Sequence, residues 1–178
     1  MEIEIKAKFE DKQQIIEKLI SLQAVGKKQK HQIDDYYNHP ERDLRKTNEY
    51  LRLRHIPGET KGIFAHHINI SDGVNKEFEV SVDDIKTFKT ILKALNFSLL
   101  GTIDKKRETY LLNDAIITLD EVKDIGNFIE VEVAGEETEI KEKKAQCLQI
   151  LQTLGLSKEA ICENIWLCDI ATGKTTLK

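Results

Sequence analysis

The residues after the initiator read Glu2-Ile3-Glu4-Ile5-Lys6-Ala7-Lys8-Phe9, charged and apolar side chains in unbroken alternation. A period of two fits a strand and no helix, so Glu2, Glu4, Lys6 and Lys8 share one face of a sheet and Ile3, Ile5, Ala7 and Phe9 the other. The pattern returns in Leu51-Arg52-Leu53-Arg54, Glu77-Phe78-Glu79-Val80 and Ile129-Glu130-Val131-Glu132-Val133, and Lys105-Lys106-Arg107 carries a basic pair at the same spacing. A sheet of such strands has a charged face and an apolar face. What covers each face decides the fold.

Solvated strands also alternate, but they intersperse the two signs. Here Glu2/Glu4, Glu77/Glu79 and Glu130/Glu132 are acidic pairs, whereas Arg52/Arg54 and Lys105/Arg107 are basic ones. Like charges repel by roughly 3 kcal/mol at ~5 Å and an effective dielectric near 20, so the segregation requires an offset. A divalent cation supplies it for the carboxylates and a polyphosphate for the basic groups. Oxygen-only ligands select hard ions, Mg²⁺ or Mn²⁺ in preference to zinc. A metal-bound triphosphate answers both needs.

Between the strands lie helical stretches. Asp11 is an expected N-cap for a helix from Gln13 to Gln23 that Gly26 ends, and Asp83 or Asp84 caps a second whose Ile85, Phe88, Ile91, Leu92 and Leu95 form one buried stripe closed by Asn96. A third is expected from Glu139 to Leu154, with Leu148, Leu151 and Leu154 inward and Gly155 at its C-cap. Strands are expected at His31–Asn38, Leu51–Ile56, Gly62–Ile70, Lys76–Val82, Lys105–Leu112, Ala115–Val122 and Phe128–Val133, with a turn at Asn113-Asp114. About eight strands in hairpin order with three helices predict an α+β fold, an antiparallel closed β-barrel or tunnel with helices packed outside. In that arrangement the helices cover the apolar strand faces and the charged faces line a wet interior.

Bulk properties exclude several classes. The 178-residue chain suits a single domain over residues 1–170, with 171–178 as a frayed tail. A net charge of −4 offers no basic field for nucleic acid. No apolar run is long enough to span a bilayer and the chain opens on a charged strand, so no membrane partner and a cytoplasmic location are expected. Cys147, Cys162 and Cys168 lack the spacing of a zinc knuckle or a disulfide framework. Neighbouring His66 and His67 point to opposite strand faces, and His31, His39 and His55 read as turn or surface residues. Gly173-Lys174-Thr175 lacks the earlier glycine of a phosphate loop, and Trp166 reads as packing.

The order of motifs resembles one family. Glu2-Ile-Glu4-Ile-Lys6, Gln32-x-Asp34-x-Tyr36-Tyr37, His39-Pro40-x-Arg42-Asp43, Thr47-x-Glu49-x-Leu51-Arg52-x-Arg54, Glu77-x-Glu79, Lys105-x-Arg107, Asp120-Glu121-Val122 and Gly126-x-Phe128-x-Glu130-x-Glu132 resemble, over roughly residues 1–135, the CYTH superfamily of triphosphate tunnel metalloenzymes, and most of all its class IV adenylyl cyclase branch. The resemblance implies conversion of ATP, a nucleoside triphosphate, to cyclic AMP and pyrophosphate. Alternatives are hydrolysis of inorganic or thiamine triphosphate, or polyphosphate or nucleotide binding without catalysis. It implies metal ligands at Glu2, Glu4, Glu130 and Glu132, with Asp120, Glu77 and Glu79 contributing directly or through water. Phosphate contacts are implied at Lys6, Arg52, Arg54, Lys105 and Arg107, a catalytic centre at Glu4, Lys6 and Arg107, and a homodimer. Two positions depart from the family: His67 stands where a lysine is expected and is taken as its substitute in binding phosphate, and Asn75 stands where an arginine is expected.

Overall fold

The computed structural model describes residues 1–26 and 29–162. Trp166, Cys168, Gly173-Lys174-Thr175 and the tail therefore lie outside the described residues. Along these, β1 (Glu2–Phe9), α1 (Lys12–Ser21), β2 (Val25–Gly26), β3 (Lys30–Asn38), β4 (Glu49–His55), β5 (Gly62–Ser71), β6 (Val74–Val82), α2 (Ile85–Ala94), β7 (Ser98–Leu112), β8 (Ala115–Val122), β9 (Gly126–Ala134) and α3 (Ile140–Thr153) follow one another. The strands hydrogen-bond in the order β2-β7-β3-β4-β5-β6-β1-β9-β8, and β7 also pairs with β8. The order returns on itself, so the fold is the expected α+β one, a closed antiparallel barrel. Its extra short strand, β2, takes Gly26 out of the expected helix end.

The described chain divides into two compact units, each discontinuous in sequence. The first holds residues 1–30, 71–75 and those from 106 onward; the second holds 31–70 and 76–105.

In the first unit β1 lies between β6 and β9, with Glu4 opposite Glu132 and Lys6 opposite Glu130, and β8 continues the sheet with Thr118 opposite Glu130. Directly opposed residues share a face, so all the charged side chains named fall on one side. The other side carries Ile3, Ala7, Phe9, Ile117, Leu119, Ile129, Val131 and Val133, buried under Ile15 and Leu19 of α1 and Cys147 and Leu151 of α3. Each fully buried aliphatic side chain contributes about 1.5–3 kcal/mol. The helices thus lie on the apolar faces of these strands, as the alternation requires. On α3 the inward stripe is Cys147, Leu151 and Leu154, each at most 1 % exposed, and Leu148 is displaced to its flank.

Local chemistry sets the ends of α1. The Asp11 side chain accepts from the Gln14 amide at 2.9 Å, and the helix stops at Leu22 because Gln23 turns to φ 62, three residues before Gly26. Asn113, at φ 54, makes the expected tight turn between β7 and β8. Gly73 bears on the site directly. Its φ is +64, its carbonyl accepts from the Glu4 amide at 2.8 Å, and a Cβ there would stand 2.3 Å from the Glu4 carbonyl oxygen. Only glycine lets this turn lie against β1 at Glu4.

In the second unit β4 runs between β3 and β5, pairing Arg54 with Asp34, Arg52 with Tyr36 and Tyr50 with His67. On the other face Tyr37, Leu53 and Val82 pack with Ile85 and Leu92 of α2. The Asp84 side chain caps this helix through the Thr87 amide at 3.0 Å. The expected five-residue stripe narrows to Ile85, Phe88 and Leu92. Ile91 lies about 100° round the helix from Leu92, and Leu95 is the C-cap beyond the last turn; they are 47 % and 57 % exposed. Phe78 and Val80 of β6 are more than half exposed, so the apolar face of that strand is covered only at its two ends, Val74 and Val82.

Candidate functional site

In the first unit, one carboxylate oxygen each from Glu4, Glu130 and Glu132 lie within 4.8 Å of one another. Burial, and next the neighbouring Glu130, pushes the Glu4 carboxyl from 4.5 up to about 8; Lys6 opposes this and Glu132 adds to it. Asn75 Nδ2 donates to Glu4 Oε1 at 3.0 Å. Asn75, which stands where an arginine was expected, gives Glu4 a hydrogen bond but no positive charge. Lys6 Nζ sits 3.3 Å from Glu130, and Arg107 lies 3.5 Å from the same carboxylate. Arg107 also grips Asp120 through a two-pronged pair of 2.6 Å hydrogen bonds.

Glu2, Glu4, Asp120, Glu130 and Glu132 thus stand on these strands with Lys6, Lys8 and Arg107, five carboxyl groups to three cations. A divalent cation relieves that excess, and the donor set, oxygen only and clustered, suits a hard ion. A second observation points the same way. Thr118 is 6 % exposed and opposite Glu130, and its Oγ1 is buried without a hydrogen-bond partner among the described residues.

The second unit gathers the basic residues. Arg54 holds Asp34 with Nε and a terminal nitrogen at 2.7 and 2.8 Å, and Lys105 Nζ lies 3.4 Å from the same carboxylate. Asp34 is wholly buried, which works to raise its pKa. Lys105, then the hydrogen bond and charge of Arg54, outweigh that and hold it far below the carboxylate range. Arg52 reaches Glu77 at 2.7 Å and Glu79 at 3.4 Å, while its buried Nε donates to nothing among the described residues. His67 Nε2 lies 2.6 Å from Glu77, and its ring stacks on Tyr50 at 4.1 Å. Burial lowers His67 from 6.5 to about 4, so it is a neutral imidazole at pH 7, where a lysine would be charged. Burial works to raise Glu77, but the hydrogen bond of His67 and the charge of Arg52 hold it near 2. Glu79 moves upward, by burial and by its neighbour Glu77.

The structure therefore brings Glu4, Glu130 and Glu132 together with Lys6 and Arg107, and separately gathers Arg52, Arg54, Lys105, His67, Glu77 and Glu79. Glu2 stands on β1 opposite Asn75 and Ala134, outside the three-carboxylate group. His66 and His67 do point to opposite faces, His66 to Glu49 at 2.6 Å. His55 departs from the surface position expected of it: its side chain is 16 % exposed and adjoins Asp35. Asp35 itself belongs to the helix-covered face and pairs with Lys89 of α2. Sequence reasoning placed Asp34 in a motif but gave it no part in holding the basic residues, and it passed over Thr118. For Asp34 the signal was its two-residue spacing from Tyr36, which puts both on one face, but its partner was legible only once β3 met β4. For Thr118 no signal existed, because threonine is ordinary in a strand.

A closed antiparallel barrel whose strands cluster three carboxylates beside Lys6 and Arg107 in one unit, and gather Arg52, Arg54 and Lys105 around Asp34, Glu77 and Glu79 in the other, defines a class of proteins suited to hard cations and polyanions. The chain belongs to the CYTH domain family, which it matches over residues 1–162. It is 32 % identical over 169 residues to a Methanocaldococcus jannaschii protein named "Putative adenylate cyclase", a match covering 94 % of this chain and 97 % of that one. The structure of PH1819 from Pyrococcus horikoshii is similar with a TM-score of 0.84 and 30 % identity, covering 96 % and 98 % of the two chains. A Hippeastrum adenylyl cyclase homologue, described as having a dominant triphosphatase activity, shares the fold at a TM-score of 0.61 and 20 % identity over 90 % of this chain and 94 % of that one. Among the described residues no helix is long and apolar enough to cross a membrane.

Proposed function

We propose that this protein is a divalent-cation-dependent enzyme acting on a triphosphate, and that its reaction is the cyclisation of ATP to cyclic AMP and pyrophosphate. The observation that carries the reading is the packing of Glu4, Glu130 and Glu132 within 4.8 Å of one another, beside Lys6 and Arg107. An anionic substrate is repelled by this group unless a cation accompanies it, so Mg²⁺ or Mn²⁺ held by these carboxylates is part of the proposal. Such an ion supplies charge neutralisation and lowers the pKa of an oxygen bound to it. Glu2 and Asp120 add to the field, Asp120 by orienting Arg107. Lys6 and Arg107 steady phosphate oxygens as charge develops on the leaving pyrophosphate.

In the second unit Arg52, Arg54 and Lys105 are the phosphate-binding groups of this reading. Arg52 Nε is buried without a partner among the described residues, and in this reading phosphate oxygens take up guanidinium hydrogens that the carboxylates leave. Glu77 and Glu79 hold Arg52 in place, and Glu77 adjoins His67, which burial, with the charge of Arg52, keeps a neutral contact. In cyclisation the ribose 3′ oxygen bonds to the α-phosphorus, the bond to the bridging oxygen breaks, and the hydroxyl proton is lost to solvent. Similarity to the archaeal relative named for adenylate cyclase supports this choice of reaction.

The test is product analysis of ATP incubated with Mn²⁺ or Mg²⁺. Cyclic AMP and pyrophosphate formed by the native protein, and lost in Glu4→Ala and Arg54→Ala, are the expected result. ADP and phosphate alone would remove the cyclase reading. A second reading, hydrolysis of inorganic or thiamine triphosphate, is favoured by the composition of both groups: carboxylates, guanidinium, ammonium and imidazole grip phosphates and cations without reading a base. Phosphate release from tripolyphosphate with ATP inert would select it, and tight binding without any product would reduce the protein to a binding module.

A further inference from the structure

Thr118 is the one side chain on the charged face of β8 and β9 whose chemistry the proposed function leaves unused. Its side chain stands opposite Glu130 and two residues from Asp120, on the same face as both. It is buried, and its hydroxyl meets no partner among the described residues. A hydroxyl removed from water without a hydrogen bond is destabilising, and valine would fill the same volume on a strand at no such cost. Nothing among the described residues gives a reason for an oxygen here; a ligand next to Glu130 does. Small hard cations keep part of their water shell when carboxylates bind them, and those waters need anchoring by neutral oxygens.

We propose that Thr118 is a positioning residue of the cation site, its hydroxyl hydrogen-bonding a water of a divalent cation held by Glu4, Glu130 and Glu132. This rests on the reading of those three carboxylates as a cation site. It adds a neutral oxygen, contributed by β8, to an otherwise carboxylate set from β1 and β9. The hydroxyl donates to a carboxylate or accepts from the water as the loaded site requires, which a methyl group cannot do.

The experiment is titration of the full chain with Mn²⁺, followed by electron paramagnetic resonance of the free ion, for the native protein, Thr118→Val, Thr118→Ser and Glu4→Gln. Thermal unfolding in EDTA runs in parallel. The proposal expects about a tenfold loss of Mn²⁺ affinity in Thr118→Val, near-native affinity in Thr118→Ser, and no loss of stability for Thr118→Val in EDTA. Equal affinity in the native protein and Thr118→Val, with binding lost in Glu4→Gln, would overturn the role of Thr118 and leave the carboxylate site standing. A lower melting temperature for Thr118→Val in EDTA would show the hydroxyl to be structural and overturn it too. No Mn²⁺ binding by the native protein would remove the carboxylate site and this inference together.

Discussion

Replacing Glu4 by glutamine should stabilise the metal-free protein, and more so as the pH rises. The Glu4 carboxyl ionises only near pH 8 in the folded state against 4.5 for an unperturbed group, so between those values the native chain holds a proton that the unfolded chain releases. Stability from this group is complete below pH 4.5 and is lost as the pH climbs through 8. At about 1.4 kcal/mol per pH unit, the displacement is worth roughly 5 kcal/mol if Glu4 bears it alone and roughly 2 if the proton is shared with Glu130. Glutamine is neutral throughout, and its amide oxygen still accepts from Asn75. Glu4→Gln should therefore match the native protein at pH 4–5 in EDTA and exceed it by roughly 2–5 kcal/mol at pH 9, a melting difference on the order of 10 °C for a chain this size. Urea and thermal unfolding at pH 5, 7 and 9 measure it. A variant less stable at every pH, or an offset that does not change with pH, would refute the account of the carboxylate cluster.

Four further outcomes follow from the same geometry. Mn²⁺ at a hundred times its dissociation constant should raise native stability by about 2.7 kcal/mol and leave Glu4→Gln unmoved, read by thermal shift with and without EDTA. Asp34→Asn strands Arg54 and Lys105 without their buried counter-ion and should cost about 3–5 kcal/mol in urea unfolding, whereas the native pair weakens only as acid reaches the Asp34 carboxyl. Because His67 titrates near 4 instead of 6.5, the native chain should lose stability as the pH falls from 6.5 to 4, and His67→Asn should flatten that acid limb in the same assay. Leu151→Ala on α3 should cost about 2–5 kcal/mol without altering Mn²⁺ affinity, which separates core from site.

Much of the site was legible because strand periodicity is strict. Once Glu2-Ile3-Glu4-Ile5-Lys6 is a strand, Glu4 and Lys6 share a face whatever they pair with, and the same holds for Arg52 with Arg54 and Glu130 with Glu132. The caps Asp11 and Asp84 and the Asn113 turn were legible for a similar reason: each acts on a backbone group within three residues. Features that depend on a distant partner were not. Cys147 takes the inward place on α3 in preference to Leu148 because β1 and β9 set the angle of the buried stripe, and Phe78 and Val80 stay exposed on β6 while Val74 and Val82 at its ends are covered.

Sequence alone determined which side chains share a face, the signs of the charges grouped there, and the need for something to offset them. Local chain geometry dictates those properties. Only the tertiary structure decided that Glu4 meets Glu130 and Glu132, that Asp34 locks Arg54 and Lys105, that His67 is buried as a neutral ring on Glu77, and that the Thr118 hydroxyl is left beside the acidic group. Each depends on which strand lies next to which and in what register, and so on contacts between residues far apart in the chain.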